Sequence, residues 1–249
     1  MSRTSAFRPW LPVLAAVLLI LLPLISCKTA PRARKPRKGC LDCHPEMAKQ
    51  FRSGVIHQPL EKGRCRDCHR PHGLVGGIYL KLPTPNLCYK CHKKLAQDLN
   101  RYPAANRHQP VGRGHCKTCH DPHNAPNPGL LPKSEVELCY GCHDAEQFTR
   151  AWRHQPLEKG CLTCHDPHGG EFPALLAQPP AELCRRCHDF SQTSFREKHG
   201  NYPITDNCLD CHDPHSAANR NLLKKFVHEP VSAGRCSDCH QPATAATPF

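Results

Sequence analysis

The sequence predicts short α-helices and extensive coil, with little or no β-sheet, wrapped around covalently held groups instead of a core of its own side chains. Three observations predict this. The 249 residues include 26 prolines and 19 cysteines, while aromatic residues make up only 6%. Alternation of apolar and polar residues, the strand signal, is hard to find, and helical periodicity rarely lasts three turns. Such a chain buries too few apolar side chains to offset the ordering of its backbone. It needs staples: disulfides, metals or a large apolar cofactor.

The elements follow in chain order. Residues 1–26 read as a targeting segment. Arg3 and Arg8 make its start positive, and Trp10 to Ile25 is almost wholly apolar, broken by Pro12 and Pro23 and short for a membrane span. The run ends in Leu24-Ile25-Ser26-Cys27, which resembles a bacterial lipobox. That resemblance implies cleavage before Cys27 and lipidation of its thiol. Lys28 stands where an inner-membrane retention signal carries Asp, which implies the outer membrane. The alternatives are a plain secretory signal or an uncleaved anchor, and each of these places the rest of the chain outside the cytoplasm. Residues 27–39, with "KTAPRARKPRK" at 28–38, form a basic, proline-containing tether.

The other eighteen cysteines all fall in Cys-x-x-Cys-His motifs. The pairs are Cys40 and Cys43, Cys65 and Cys68, Cys88 and Cys91, Cys116 and Cys119, Cys139 and Cys142, Cys161 and Cys164, Cys184 and Cys187, Cys208 and Cys211, and Cys236 and Cys239. The histidines that close them are His44, His69, His92, His120, His143, His165, His188, His212 and His240. Zinc sites do not demand His directly after the second Cys, and a disulfide framework demands no His at all. Repeated in an exported chain, the motif points to c-type haem. Two thiols join the two haem vinyl groups, and the adjacent His reaches the iron from the same side. Nine covalent haems would then supply the missing apolar core.

Ten further histidines remain. Five stand upstream of a motif: His57, His108, His154 and His228 in His-x-Pro, and His199 in "HGNYP". Four follow a motif histidine by three residues in "CHRPH" or "CHDPH": His72, His123, His168 and His215. Nine candidates match nine sixth-ligand positions. His115 directly precedes Cys116 and reads as a bystander. Methionine cannot be the general sixth ligand, since only Met47 lies beyond the targeting segment. Bis-histidine ligation gives low potentials relative to Met/His.

The repeat reads as a plain motif, a His-x-Pro element and a motif closing in Pro-His. The nonahaem domain spans 40–243, with dihaem units 40–72, 88–123, 139–168 and 184–215. Pro- and Leu-containing connectors fill 73–87, 124–138, 169–183 and 216–227. A half unit, 228–243, has Ala243 where the others have His. That truncation predicts a wiring. Each upstream His serves the motif that it precedes, and the Pro-His residues serve the plain motifs: His72 with Cys40, His123 with Cys88, His168 with Cys139 and His215 with Cys184.

The formal charge of +13 ordinarily raises nucleic acid as a partner. Eighteen haem propionates, set against one positive charge on each ferric core, would offset most of it, and no recognition motif is present, so nucleic acid is not expected. The nine motifs, the "CHDPH" variants and the lipobox together resemble the doubled-Cys-x-x-Cys-His multihaem c-type cytochromes of metal-respiring bacteria. The resemblance covers about residues 40–243. It implies close-packed haems, short helices at the motifs, and electron transfer across the periplasm or outer membrane to other redox proteins, among them other cytochromes and an outer-membrane porin.

An electron conduit needs every iron six-coordinate, and the balanced histidine count favours it, so no enzyme is expected. One alternative is a multihaem reductase with one open iron, which Cys-x-x-Cys-Lys often signals and which is not written here. The other is a subunit of an extracellular filament.

Overall fold

The structure, a computed structural model, describes residues 39–72, 77–204 and 206–246. The targeting segment, the lipidation site Cys27 and the tether up to Lys38 lie outside the described residues. The chain divides into two units, Met1–His44 and Pro45–Phe249. The first contributes α1 (Cys40–Cys43).

Short helices and coil make up the second unit, as composition predicts. Its helices are α2 (Pro45–Gln50), α3 (Gln58–Glu61), α4 (Asn86–Tyr89), α5 (Lys93–Arg101), α6 (Gln109–Gly112), α7 (Glu135–Tyr140), α8 (Pro180–Arg185), α9 (Thr193–Lys198), α10 (Cys208–Cys211) and α11 (Glu229–Ser232). Among the described residues none is long and apolar enough to cross a membrane. The His-x-Pro words start α3, α6 and α11, with His at the cap and Pro in the first turn. Proline is tolerated there because an N–H in the first turn has no partner within the helix. Ser134 opens α7 through a reciprocal capping box with Glu137.

The β-structure consists of small joints. β1 (Val55–Ile56) pairs antiparallel with β2 (Asn124–Ala125), and β3 (Trp152–Arg153) with β4 (Ser216–Ala217). Between them, Arg107 makes a single bridge to Gly169. All three are the same joint. Each ties the residues before a His-x-Pro histidine to those after the next repeat's Pro-His.

Among the described residues the buried side chains are Leu99, Ala125, Tyr202, Ser216 and Ala217. So small a set cannot hold a domain of this size. Ser216, 0% exposed, fastens the β3–β4 joint. Its hydroxyl donates to the Gln147 carbonyl at 2.8 Å and accepts from the Arg150 amide at 3.1 Å. Ser216→Ala leaves both backbone groups without that partner, at a cost of about 1–3 kcal/mol. Calorimetry of the haem-loaded protein should show a lower unfolding midpoint; an unchanged midpoint would contradict the role of this hydroxyl.

Candidate functional site

Every motif closes one helical turn. The amide of each motif histidine donates to the carbonyl of its first cysteine at 2.9–3.2 Å, from His44 on Cys40 to His240 on Cys236. This i to i−4 bond brings the first cysteine and the histidine to the same side of the turn. None of the eighteen motif cysteines is buried or in a disulfide. The arrangement suits attachment of a planar group by two thiols with an imidazole standing over it.

Among the described residues, seven motif histidines face a second histidine. The pairs are His69–His123, His92–His57, His120–His168, His143–His108, His165–His215, His188–His154 and His212–His199. Their ring centroids lie 6.0–6.3 Å apart. Two imidazoles on opposite sides of one metal, each bonded at about 2.0–2.1 Å, have centroids about 6.2 Å apart. Six pairs are near-parallel, at 12–22°. The pair at His199 is crossed at 62°.

A second set of contacts fixes which ring nitrogen is available. The Nδ1 atoms of His57, His108 and His154 donate to the carbonyls of Pro122, Pro167 and Pro214 at 2.8–3.0 Å. Those of His120, His165 and His212 donate to Gly129, Ala174 and Asn221 at 2.6–2.9 Å. A proton held on Nδ1 leaves the Nε2 lone pair for a metal. Burial, before any neighbouring charge, holds His69, His168, His212 and His215 below the ordinary histidine range. They stay neutral, the form that ligates. Spacing, tautomer and adjacent thiols together fit haem.

The wiring expected from the sequence is corrected. His57, His108 and His154 do not face the motif that they precede; they face the following one, at His92, His143 and His188. His123, His168 and His215 do not face the haem positions at Cys88, Cys139 and Cys184. They turn back to His69, His120 and His165, one repeat earlier. The physical reason is the β-joint, which was not legible in strands two residues long. At each joint the amide of the His-x-Pro histidine donates to the carbonyl of a Pro-His histidine: His57 to His123 at 2.8 Å, His108 to His168 at 3.2 Å, and His154 to His215 at 2.9 Å. The two candidate ligands are thus held side by side and face two different motifs. His199 does face the motif that it precedes, at His212.

Two groups of supporting residues escaped the sequence reading. Asp121, Asp166 and Asp213 accept from the amides of His123, His168 and His215 at 2.8–3.0 Å, with the ring Nδ1 atoms 3.6–3.7 Å away. The Asp of "CHDPH" is their signal. The connectors supply the carbonyls of Gly129, Ala174 and Asn221 from left-handed backbone, at φ 72°, 54° and 58°. Left-handed backbone costs a residue such as Ala174 about 1–2 kcal/mol, strain of the kind stored at functional sites. Their signal is Gly, Ala or Asn before Leu-Leu at 129–131, 174–176 and 221–223.

The seven positions adjoin in sequence order. The joints link Cys65 to Cys88, Cys116 to Cys139, and Cys161 to Cys184. Thiol neighbours supply the links between. Burial pushes the Cys88 thiol up to about 11, helped by the adjacent Cys116. Partial burial likewise raises Cys139, beside Cys161, and Cys184, beside Cys208, to about 11.

Repeated Cys-x-x-Cys-His turns, each with an imidazole able to clamp a metal, define a multihaem c-type cytochrome, which carries covalent haem and transfers electrons. The chain belongs to the Doubled CXXCH motif family, whose model matches residues 57–97, 108–148, 154–193 and 201–226, more than half of its length. Its first three matches open at His-x-Pro, and the first pairs Cys65 with Cys88, where the sequence reading paired Cys40 with Cys65. The chain is 27% identical over 126 residues to the Multiheme cytochrome MtrA of Shewanella baltica, covering 50% of this chain and 37% of that one. It is 25% identical over 138 residues to the Cytochrome c-type protein NrfB of Haemophilus influenzae, covering 51% and 54%. It therefore spans less than two thirds of either relative.

The expectation that the chain is not an enzyme is corrected. The likeness to the Cytochrome c-type protein NrfB overturns it and leaves enzyme status open. The histidine count behind that expectation assigned His228 to the Cys236 position; a ring contact of His240 is with Tyr202, at 6.4 Å and 68°. In the fourth match Asn201, in Asn-Tyr-Pro, stands where the first three have the His-x-Pro histidine, with Tyr202 beside it.

Proposed function

We propose that this chain relays electrons outside the cytoplasm through nine c-type haems, passing them between neighbouring positions in sequence order. The carrying observation is the unbroken adjacency of seven histidine pairs from Cys65 to Cys208. Each bound haem would supply a one-electron couple. The chain's own part is to attach it through two thiols, clamp it between imidazoles and hold it close to the next. His57, His72, His108, His123, His154, His168, His199, His215 and His228 are its candidate sixth ligands. The tether and Cys27 would hold the relay at the outer membrane as a lipoprotein, where other cytochromes or a porin are the partners to test. Cys27→Ser should then move the protein from the membrane fraction to the soluble one; retention in the membrane would remove the lipid anchor from this reading.

The relay is tested by injecting less than one electron per molecule by pulse radiolysis. In the intact protein the electron should spread over the haems in a fast spectral relaxation. Replacing Cys139 and Cys142 with alanine removes a middle position and should slow exchange between the two sides. An unchanged relaxation would overturn the ordered relay.

A second reading, a reductase with one open iron, is favoured by one observation: the phenol of Tyr202 beside His240. Carbon monoxide binding by the reduced protein separates the two, since only an iron with an exchangeable sixth position takes it up.

A further inference from the structure

The ligand exchange between repeats has a rule. The first motif of each repeat faces the Pro-His histidine of the repeat that follows, as His69 faces His123, His120 faces His168 and His165 faces His215. At the fourth repeat the rule has no donor. The next motif of this type reads "CHQPA", with Ala243 three residues past His240. His212 is nonetheless matched, by His199 at 6.3 Å.

His199 comes from a different place in the fold. It caps the C-terminus of α9, and its Nδ1 donates to the Phe195 carbonyl of its own helix at 2.8 Å. The other upstream histidines are anchored across a joint, on Pro122, Pro167 and Pro214. The His199 ring also lies against Phe195, at 4.3 Å, which in turn stacks on Phe190 at 4.8 Å. Anchored by a helix and an aromatic stack, the ring is turned from the plane that the joints impose. Its angle to His212 is 62°, against 12–22° in the other six pairs.

We propose that His199 is a substitute sixth ligand that ends the ligand exchange, and that it gives the Cys208 iron crossed imidazole planes while the other six pairs stay near-parallel. This ligand would set one iron apart electronically, because the angle between axial imidazoles sets how the iron d orbitals split. The inference rests on the c-type haem reading. Failure of that reading would appear separately, as no haem mass on the chain.

Electron paramagnetic resonance of the oxidised protein tests it. Near-parallel planes give ordinary rhombic low-spin signals, and crossed planes give a strongly anisotropic one at low field. Loss of the low-field signal in His199→Met, together with one sulfur-to-iron charge-transfer band in the near infrared, is the expected result. His199→Ala should instead create a site for one carbon monoxide per molecule. Adding Ala243→His to His199→Ala restores the repeat's rule. That double variant should close the site again without bringing back the low-field signal. Persistence of the low-field signal in both single variants, or no closure by Ala243→His, would overturn the proposal.

Discussion

His168→Ala should leave one carbon monoxide site per molecule, on the iron held at Cys116, with the iron at Cys139 unaffected. His168 lies 6.0 Å from His120, while His143 is matched by His108 at 6.1 Å. Alanine removes the imidazole and with it the sixth bond. The Pro-His turn itself should persist, because Asp166 accepts from the amide of residue 168, a backbone group that the substitution keeps. The Cys116 iron should also rise in potential on losing an imidazole, while His168→Met should raise it by exchanging bis-histidine for Met/His ligation. His123→Ala and His215→Ala should behave alike at Cys65 and Cys161. A variant in which no carbon monoxide binds would mean that these histidines are not ligands.

Gly54→Val should disturb two positions at once. Gly54 precedes β1 with φ 72°, and a Cβ there would lie 2.4 Å from the Ala125 carbonyl oxygen of β2. Left-handed backbone costs an ordinary residue about 1–2 kcal/mol and a β-branched one more. The clash with fixed backbone adds about 1–3 kcal/mol. The β1–β2 joint should part, carrying away His57 and His123 together, and the Cys88 and Cys65 irons should both become accessible to carbon monoxide. Gly63→Ala is the control. Gly63 also has positive φ, at 64°, but a Cβ there meets nothing within 4 Å. It should cost stability through strain alone and open no iron. Equal behaviour of the two variants would contradict the joint's role.

The c-type haem class was legible, because Cys-x-x-Cys-His is a local word whose chemistry depends on adjacent residues. The fold class was legible for a related reason: a chain with this proline content and so few aromatic residues has few other ways to fold. The sixth-ligand candidates could be found in sequence, but not their partners. Spacing alone made His57 a neighbour of Cys65, whereas the structure sends it past that motif to His92. The deciding contacts are backbone hydrogen bonds between residues sixty or more positions apart, in strands too short for alternation to register. Ala243 was read as the end of a half unit. Its consequence falls one repeat earlier, at His212, where His199 takes up the vacated role in this account. Tyr202 gave no warning, since its contact with His240 joins residues 38 positions apart.

The central claim, that a repeat completes the irons of the one before it, is tested most directly by removing His168 in two backgrounds. In one, Cys139 and Cys142 are replaced by alanine; in the other, Cys116 and Cys119. Each is compared with its own background for carbon monoxide binding in the reduced state. The account predicts that His168→Ala adds one carbon monoxide site when the Cys139 haem is missing, and adds none when the Cys116 haem is missing. The reverse pattern would return His168 to the Cys139 haem and contradict the account.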